Sequence, residues 1–178
     1  MFENFEKYGL TFERLNPSNL ELLRVWRNSD FVRSRMLYQT EITPEMQQNW
    51  FSKLDQSANY YYLVKQNEEY VGVASIKDIK DGQGEPGFFL VSEQYKNTTV
   101  TSLTYLAMAD FYFEELGISK LYIHVRRDNE EAMKSNLFLG YKTMEEKSTS
   151  EFLYMELNKE TFLANSQINK LRKFIIKK

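Results

Sequence analysis

Residues 121–141 read LYIHVRRDNEEAMKSNLFLGY, and that stretch decides the fold. From Lys120 to Val125 apolar and polar residues alternate, the period of a strand. Alternation sets Tyr122, His124 and Arg126 on one face and Leu121, Ile123 and Val125 on the other. Asp128-Asn129 then opens a helix, because a short side-chain oxygen there can cap the first free amides. Gly140 ends that helix, and Tyr141 begins the next strand. The unit is strand–helix–strand.

Working outward, Thr99 to Leu116 reads as a long helix, with Leu103, Leu106, Ala107, Phe111 and Glu114 at helical intervals and Gly117 as its stop. Before it, Tyr60–Lys65 and Tyr70–Ile79 form a hairpin across Gln66-Asn67-Glu68-Glu69. The turn Asp81-Gly82-Gln83-Gly84 leads to a third strand, Pro86–Val91. Nearer the N-terminus, Leu10–Leu15 is a strand and Pro17-Ser18 opens a helix through Trp26. Thr43-Pro44 starts a second helix, reaching about Leu54, with Met46, Trp50 and Phe51 on its apolar side. Downstream, Tyr141–Glu146 and Glu151–Leu157 make a last hairpin, and Thr161–Lys178 is an amphipathic helix or tail. The order β-α-α-β-β-β-α-β-α-β-β predicts an α/β, mixed α+β chain: one seven-stranded sheet with helices on both faces. Such a sheet splays where parallel neighbours diverge, and ligands enter there. One domain is expected over 1–160, followed by the tail 161–178.

Composition narrows the chemistry. With 23 basic and 25 acidic residues the charge is −2, which argues against nucleic acid as a partner. Cysteine is absent, so disulfides and thiol nucleophiles are excluded, and the single histidine, His124, leaves no histidine cluster for a metal. Aromatics make up 15% of the chain, and some of the 12 tyrosines are expected to line a polar pocket. No apolar run reaches the roughly 20 residues of a membrane helix. MFENFEKYGL lacks a basic start followed by an apolar stretch, so no secretory signal is expected and a cytoplasmic protein is the default.

Val125-x-x-x-Asn129-x-x-Ala132, followed by Phe138 and Gly140-Tyr141, resembles the strand-then-helix signature of the GNAT N-acetyltransferase superfamily. With the element order, the resemblance spans about residues 9–157. It implies a central, mostly antiparallel sheet splayed in the middle, and acetyl-CoA as co-substrate without a metal. It also implies that the loop before the long helix binds the CoA pyrophosphate, as free amides and the helix dipole favour an anion there. The residues so implied are Val91, Lys96, Asn97, Thr98, Thr99, Val100 and Thr101, with Asn129 and Ala132 from the later signature. Lys96 takes the family's basic position; Thr99 and Thr101 stand where glycine is expected, and threonine adopts φ > 0 poorly.

A second signature joins residues 26–33 (WRNSDFVR), Ile42-Thr43-Pro44-Glu45 and Trp50-Phe51. It resembles the subgroup of ribosomal-protein, spermidine and nucleotide-sugar N-acetyltransferases. Residues 70–76 (YVGVASI) and Tyr95-Lys96-Asn97 fit the UDP-4-amino-sugar N-acetyltransferases of pseudaminic acid synthesis. The resemblance implies that Arg27 to Tyr38 helps form the acceptor pocket; by residue chemistry the segment offers Arg27, Arg33 and Arg35 for phosphate oxygens and Met36 and Tyr38 for a flat ring, with Arg27, Met36 and Tyr38 the expected substrate contacts. The acceptor implied is a small-molecule amine, a nucleotide-linked amino sugar. A peptide N-terminus or a polyamine is the alternative within the fold, and a non-catalytic binding module the alternative outside it. A homodimer stays open.

For the chemistry, an ordinary imidazole pKa near 6.5 suits His124 to take the amine proton, and the subgroup resembles one with an acidic residue at that place. The family's usual acid is a tyrosine on the following helix; the matching position is Asn136, which supplies no proton. Asn136, or Ser135 beside it, is then limited to a hydrogen bond to the departing thiolate.

Overall fold

A computed structural model describes residues 3–36 and 38–176. Leu37, inside the expected acceptor segment, and Lys177 and Lys178, at the end of the expected tail, lie outside the described residues. The chain forms two compact units: residues up to Lys77 with Gly87–Ala107, and Asp78–Pro86 with residues from Met108 onward.

The first unit begins with β1 (Phe5–Lys7) and β2 (Leu10–Arg14), followed by α1 (Leu20–Asn28), α2 (Asp30–Arg33) and α3 (Pro44–Lys53). Then come β3 (Tyr60–Gln66), β4 (Glu69–Lys80) and β5 (Gln83–Leu90); the last two run on into the second unit. Three successive hairpins turn on two residues that both take positive φ: Tyr8-Gly9, Asn67-Glu68 and Asp81-Gly82. Such turns match the right-handed twist of the flanking strands. Phe5 stacks on Phe12 at 4.5 Å, and Tyr62 meets both rings edge-on. A second apolar cluster joins Leu20 and Leu23 of α1 to Leu63 and Val73, with Trp26, Trp50 and Phe51 packed against it. The Thr43 cap is as expected: its hydroxyl accepts from the Met46 amide, and Pro44 opens α3.

The helix α4 (Val100–Asp110) passes from the first unit into the second. The second unit holds β6 (Lys120–Arg126), α5 (Glu130–Leu139), β7 (Lys142–Thr143), β8 (Phe152–Asn158), α6 (Lys159–Ala164) and α7 (Ser166–Ile176). Antiparallel pairing joins β6 to β8 from Lys120↔Asn158 to Arg126↔Phe152. Phe113 packs on Phe162 at 5.4 Å, Ile168 is fully buried, and Arg172 pairs with the buried Asp110 carboxylate. The terminal segment is thus two helices broken at Asn165, whose side-chain oxygen accepts from the amides of Gln167 and Ile168.

Strand neighbours follow the order β1-β2-β3-β4-β5-β6-β8-β7. Pairs β1–β2, β2–β3, β3–β4, β6–β8 and β7–β8 are antiparallel, and β5–β6 is parallel. The parallel ladder holds only Gln83↔Lys120 and Gly84↔Leu121. It stops short of Pro86, which has no N–H to give.

Three expectations need correction. The sheet has eight strands rather than seven; the extra one, Phe5–Lys7, is too short for alternation to reveal. The long helix is α-helical only to Asp110 and then opens into a π-turn over Phe111–Glu115, where Leu116 N–H bonds back to the Phe111 carbonyl. Of the strand expected over Tyr141–Glu146, only Lys142–Thr143 pairs with β8. Among the described residues no helix is long and apolar enough to cross a membrane, and no group of three or more His, Asp or Glu side chains is placed to hold a metal.

Candidate active site

In the first unit a cavity of about 460 Å³ lies over β3, β4 and β5 and under α1 and α3. It brings together the three expected acceptor residues, Arg27, Met36 and Tyr38. Trp50, Phe88 and Phe89 supply much of the apolar wall, and Trp50 meets Tyr61 edge-on at 5.1 Å. Gln47, Ser75 and Lys77 add polar groups, while among the described residues no carboxylate lines the cavity. Arg27 sits in the last turn of α1, and its buried Nε has no hydrogen-bond partner. Burial pulls its guanidinium pKa below the usual arginine range, with Tyr61 acting in the opposite sense.

The segment between α2 and α3 is tied to α1. Asn28 donates to the Ile42 carbonyl and accepts from the Ile42 amide, each at 2.8 Å, and Arg24 donates to the same carbonyl at 3.0 Å. The other two arginines face different partners. Arg33 pairs with Asp30 at 2.8 Å, and Arg35 lies over the Phe31 ring at 4.3 Å. Of the expected phosphate donors, Arg27 is therefore the one that lines the cavity.

The loop before α4 solves its backbone problem without glycine. Positive φ falls on Asn97 (φ 60°), and neither Thr99 nor Thr101 takes it. Asparagine tolerates that conformation where threonine does not. Thr98 donates its hydroxyl to the Tyr95 carbonyl at 2.7 Å and accepts from the Val100 amide at 3.3 Å. The remaining amides of the first turn of α4 have no acceptor within the helix. Lys96 reaches Glu93 at 3.2 Å and the Phe31 ring at 5.7 Å, and Val91 donates to the Val71 carbonyl.

In the second unit, β6 presents Tyr122, His124 and Arg126 on its outer face, as alternation requires. His124 Nδ1 lies 3.3 Å from Glu85 Oε1, and the His124 ring meets Tyr154 of β8 edge-on at 5.2 Å. Burial, then the charge of Glu85, pushes the Tyr122 hydroxyl pKa up; burial, then Glu156, does the same for Tyr154. Arg126 is held in a forked pair with Asp128. At the start of α5 the Asn129 side chain accepts from the Ala132 amide at 3.0 Å, as a cap should. One turn on, Asn136 donates one amide hydrogen to the Ala132 carbonyl at 2.8 Å, leaving the second.

The sequence reading missed Glu85, because it fell between the glycine-rich turn and the strand begun at Pro86. It also missed Gln47, Ser75 and Gly87 in the cavity wall, which carry no motif and are gathered only by folding.

The chain matches the model of the acetyltransferase (GNAT) domain over residues 10–141. It is 28% identical over 127 residues to acetyltransferase PseH of Campylobacter jejuni subsp. jejuni serotype O:23/36 (strain 81-176), a match covering 69% of this chain and 76% of that protein. Among solved structures it is similar to spermidine N-acetyltransferase from Vibrio cholerae in complex with CoA and spermine, with TM-score 0.75 and 16% identity over 88% of this chain and 99% of that one. It is also similar to Campylobacter jejuni PseH in complex with acetyl coenzyme A, with TM-score 0.63 and 21% identity over 84% and 99% of the two chains. The protein belongs to the GNAT acetyltransferase family. It is an acetyl-CoA-dependent N-acetyltransferase.

Proposed function

We propose that this enzyme acetylates the amino group of a nucleotide-linked amino sugar, held in the cavity beneath α1 and α3. One observation carries the reading: among the described residues the buried Arg27 Nε has no hydrogen-bond partner and no carboxylate lines its cavity. A guanidinium left without a counter-charge suits a diphosphate, and the rings of Trp50, Phe88 and Tyr38 suit a flat base. A polyamine would meet Arg27 as a like charge. Residues 70–76 and Tyr95-Lys96-Asn97 resemble the amino-sugar acetyltransferases in the same direction.

For the co-substrate, the free amides of the first turn of α4, the hydroxyls of Thr99 and Thr101, and Lys96 form a donor set of the right chemistry for the CoA pyrophosphate, with the Thr98 hydroxyl bonded to the Tyr95 carbonyl to shape the loop. Asn97 and Val100 shape that turn, Val91 lies just ahead of it, and Asn129 and Ala132 open the later signature helix. Acetyl-CoA supplies the activated acetyl group; His124 takes the amine proton, and the second amide hydrogen of Asn136 is offered to the thiolate. We place this chemistry in the cytoplasm, where acetyl-CoA is made and used.

The test is CoA release across UDP- and dTDP-amino sugars, spermidine and N-terminal peptides. We expect kcat/KM for a nucleotide amino sugar to exceed that for spermidine by about 100-fold or more. Arg27→Gln should raise the acceptor KM roughly 10- to 100-fold, the scale of a charge-assisted bond, and leave the KM for acetyl-CoA alone. Preference for spermidine or a peptide overturns the acceptor assignment.

A further inference from the structure

The second unit carries a carboxylate–imidazole pair that no sequence signature marks. We propose that Glu85 is the positioning residue of His124: its carboxylate holds Nδ1–H, presents Nε2 as the proton acceptor, and stabilises the imidazolium. The inference rests on the reading of His124 as the general base.

Backbone geometry puts Glu85 where it can act. The β5–β6 ladder ends at Gly84↔Leu121, and Pro86 cannot extend it. Glu85 is therefore the residue just past the last rung, and its side chain crosses to His124 on the neighbouring strand at 3.3 Å. The two partners are unequal in exposure, with 21% of the Glu85 side chain accessible against 45% for His124. The carboxylate is the sheltered member, and the ring is the member that a substrate can reach. Tyr122 at 6.2 Å and Tyr154 at 5.2 Å flank the imidazole edge-on and restrict its rotation.

On β6, Arg126 is forked onto Asp128. From β8, Glu156 is met by Lys147 at 2.5 Å and by Lys120 of β6 at 3.7 Å, and Lys147 also lies over the Tyr154 ring. From β4, the Asp78 charge acts on Tyr122. Glu85 of β5 is the carboxylate whose oxygen reaches the imidazole.

In the reaction the amine nitrogen bonds to the acetyl carbon as the carbon–sulfur bond breaks. The amine proton goes to His124 Nε2. The departing thiolate takes up one proton and leaves as the CoA thiol, so the acetyl group and one proton have changed places. Glu85 exchanges nothing; it makes the intermediate positive charge on the ring less costly.

The chain has one histidine, so its ring nitrogen resonances report the tautomer by NMR without assignment. Glu85→Gln keeps an acceptor oxygen for Nδ1–H and removes the charge, while Glu85→Ala removes both. The neutral ring should hold its proton on Nδ1 in the parent protein and shift toward the Nε2–H tautomer in Glu85→Ala. With Nε2 no longer free to accept, kcat should fall about 10-fold in Glu85→Ala while the KM for acetyl-CoA stays unchanged. Glu85→Asp should restore most of the activity, and Glu85→Ala should add no further loss on a His124→Ala background. An unmoved tautomer in folded Glu85→Ala, with activity still dependent on His124, overturns the role of Glu85 alone. Full activity in His124→Ala overturns the general-base reading and this proposal with it. A tautomer that moves while kcat stays fixed also overturns it.

Discussion

At Gly72 the strands β4 and β5 leave no room for a side chain. A Cβ built there would lie 2.6 Å from Phe88 Cε2 and 2.8 Å from the Phe89 carbonyl oxygen. The phenyl ring can give way, but the backbone carbonyl cannot without moving β5, and Phe88 and Phe89 both line the cavity proposed for the acceptor. Gly72→Ala should therefore cost about 1–3 kcal/mol, the usual range for overpacking, read as a lower urea midpoint. Acceptor KM should rise as well, because the strain falls on the cavity wall. At this scale the sequence was readable in type and blind in pairing. Arg27, Met36 and Tyr38 were nominated and do share one cavity. Arg33 and Arg35 were indistinguishable from Arg27 by residue type. What separates them is the four-residue helix α2, which sets Arg33 one turn from Asp30 and Arg35 over Phe31.

Elements were legible where period and punctuation agreed. Thr43-Pro44 at α3 and Asn129 with Gly140 at α5 all fall as the capping rules require. The failures have local causes: the π-turn at Phe111–Glu115 keeps the residue spacing of a helix while changing its bonds, and β1 and β7 are three and two residues long, too short for alternation to mark. The pair β6–β8 offers a test at this scale. Glu156 on β8 has its carboxyl pKa held below the usual range, first by the Lys147 hydrogen bond, against burial, which would raise it. A depressed folded-state pKa gives stability that is present above the unfolded-state value and lost as pH falls through the folded one. Glu156→Gln should thus lower Tm by about 1–3 °C at pH 7, and the gap should close when both proteins are compared near pH 3. An equal gap at both pH values would mean that packing, and not charge, is what the carboxylate contributes.

For the whole chain, the order of elements carried the family resemblance because alternation and helical spacing survive substitutions that erase motifs. The glycines missing from the loop before α4 are such an erasure, with Asn97 taking the left-handed turn instead. If that loop binds pyrophosphate, the consequence is global, since a ligand bound only by the native state raises the stability of everything that unfolds with it. At 100 times Kd, acetyl-CoA should add about 2.7 kcal/mol, which for a chain of this size is a rise in Tm of roughly 5–10 °C. Lys96→Glu reverses a charge four residues before α4 begins and should weaken binding about 10-fold, which removes about 1.4 kcal/mol and so about half of that shift at the same ligand concentration. Arg27→Gln, in the cavity under α1 and α3, should leave the shift intact. Calorimetry on the three proteins with and without acetyl-CoA decides it. An undiminished shift in Lys96→Glu would put Lys96 outside the reach of the phosphates, with its role confined to Glu93 and Phe31. A shift lost in Arg27→Gln instead would mean that the acetyl donor, and not the acceptor, is what Arg27 serves.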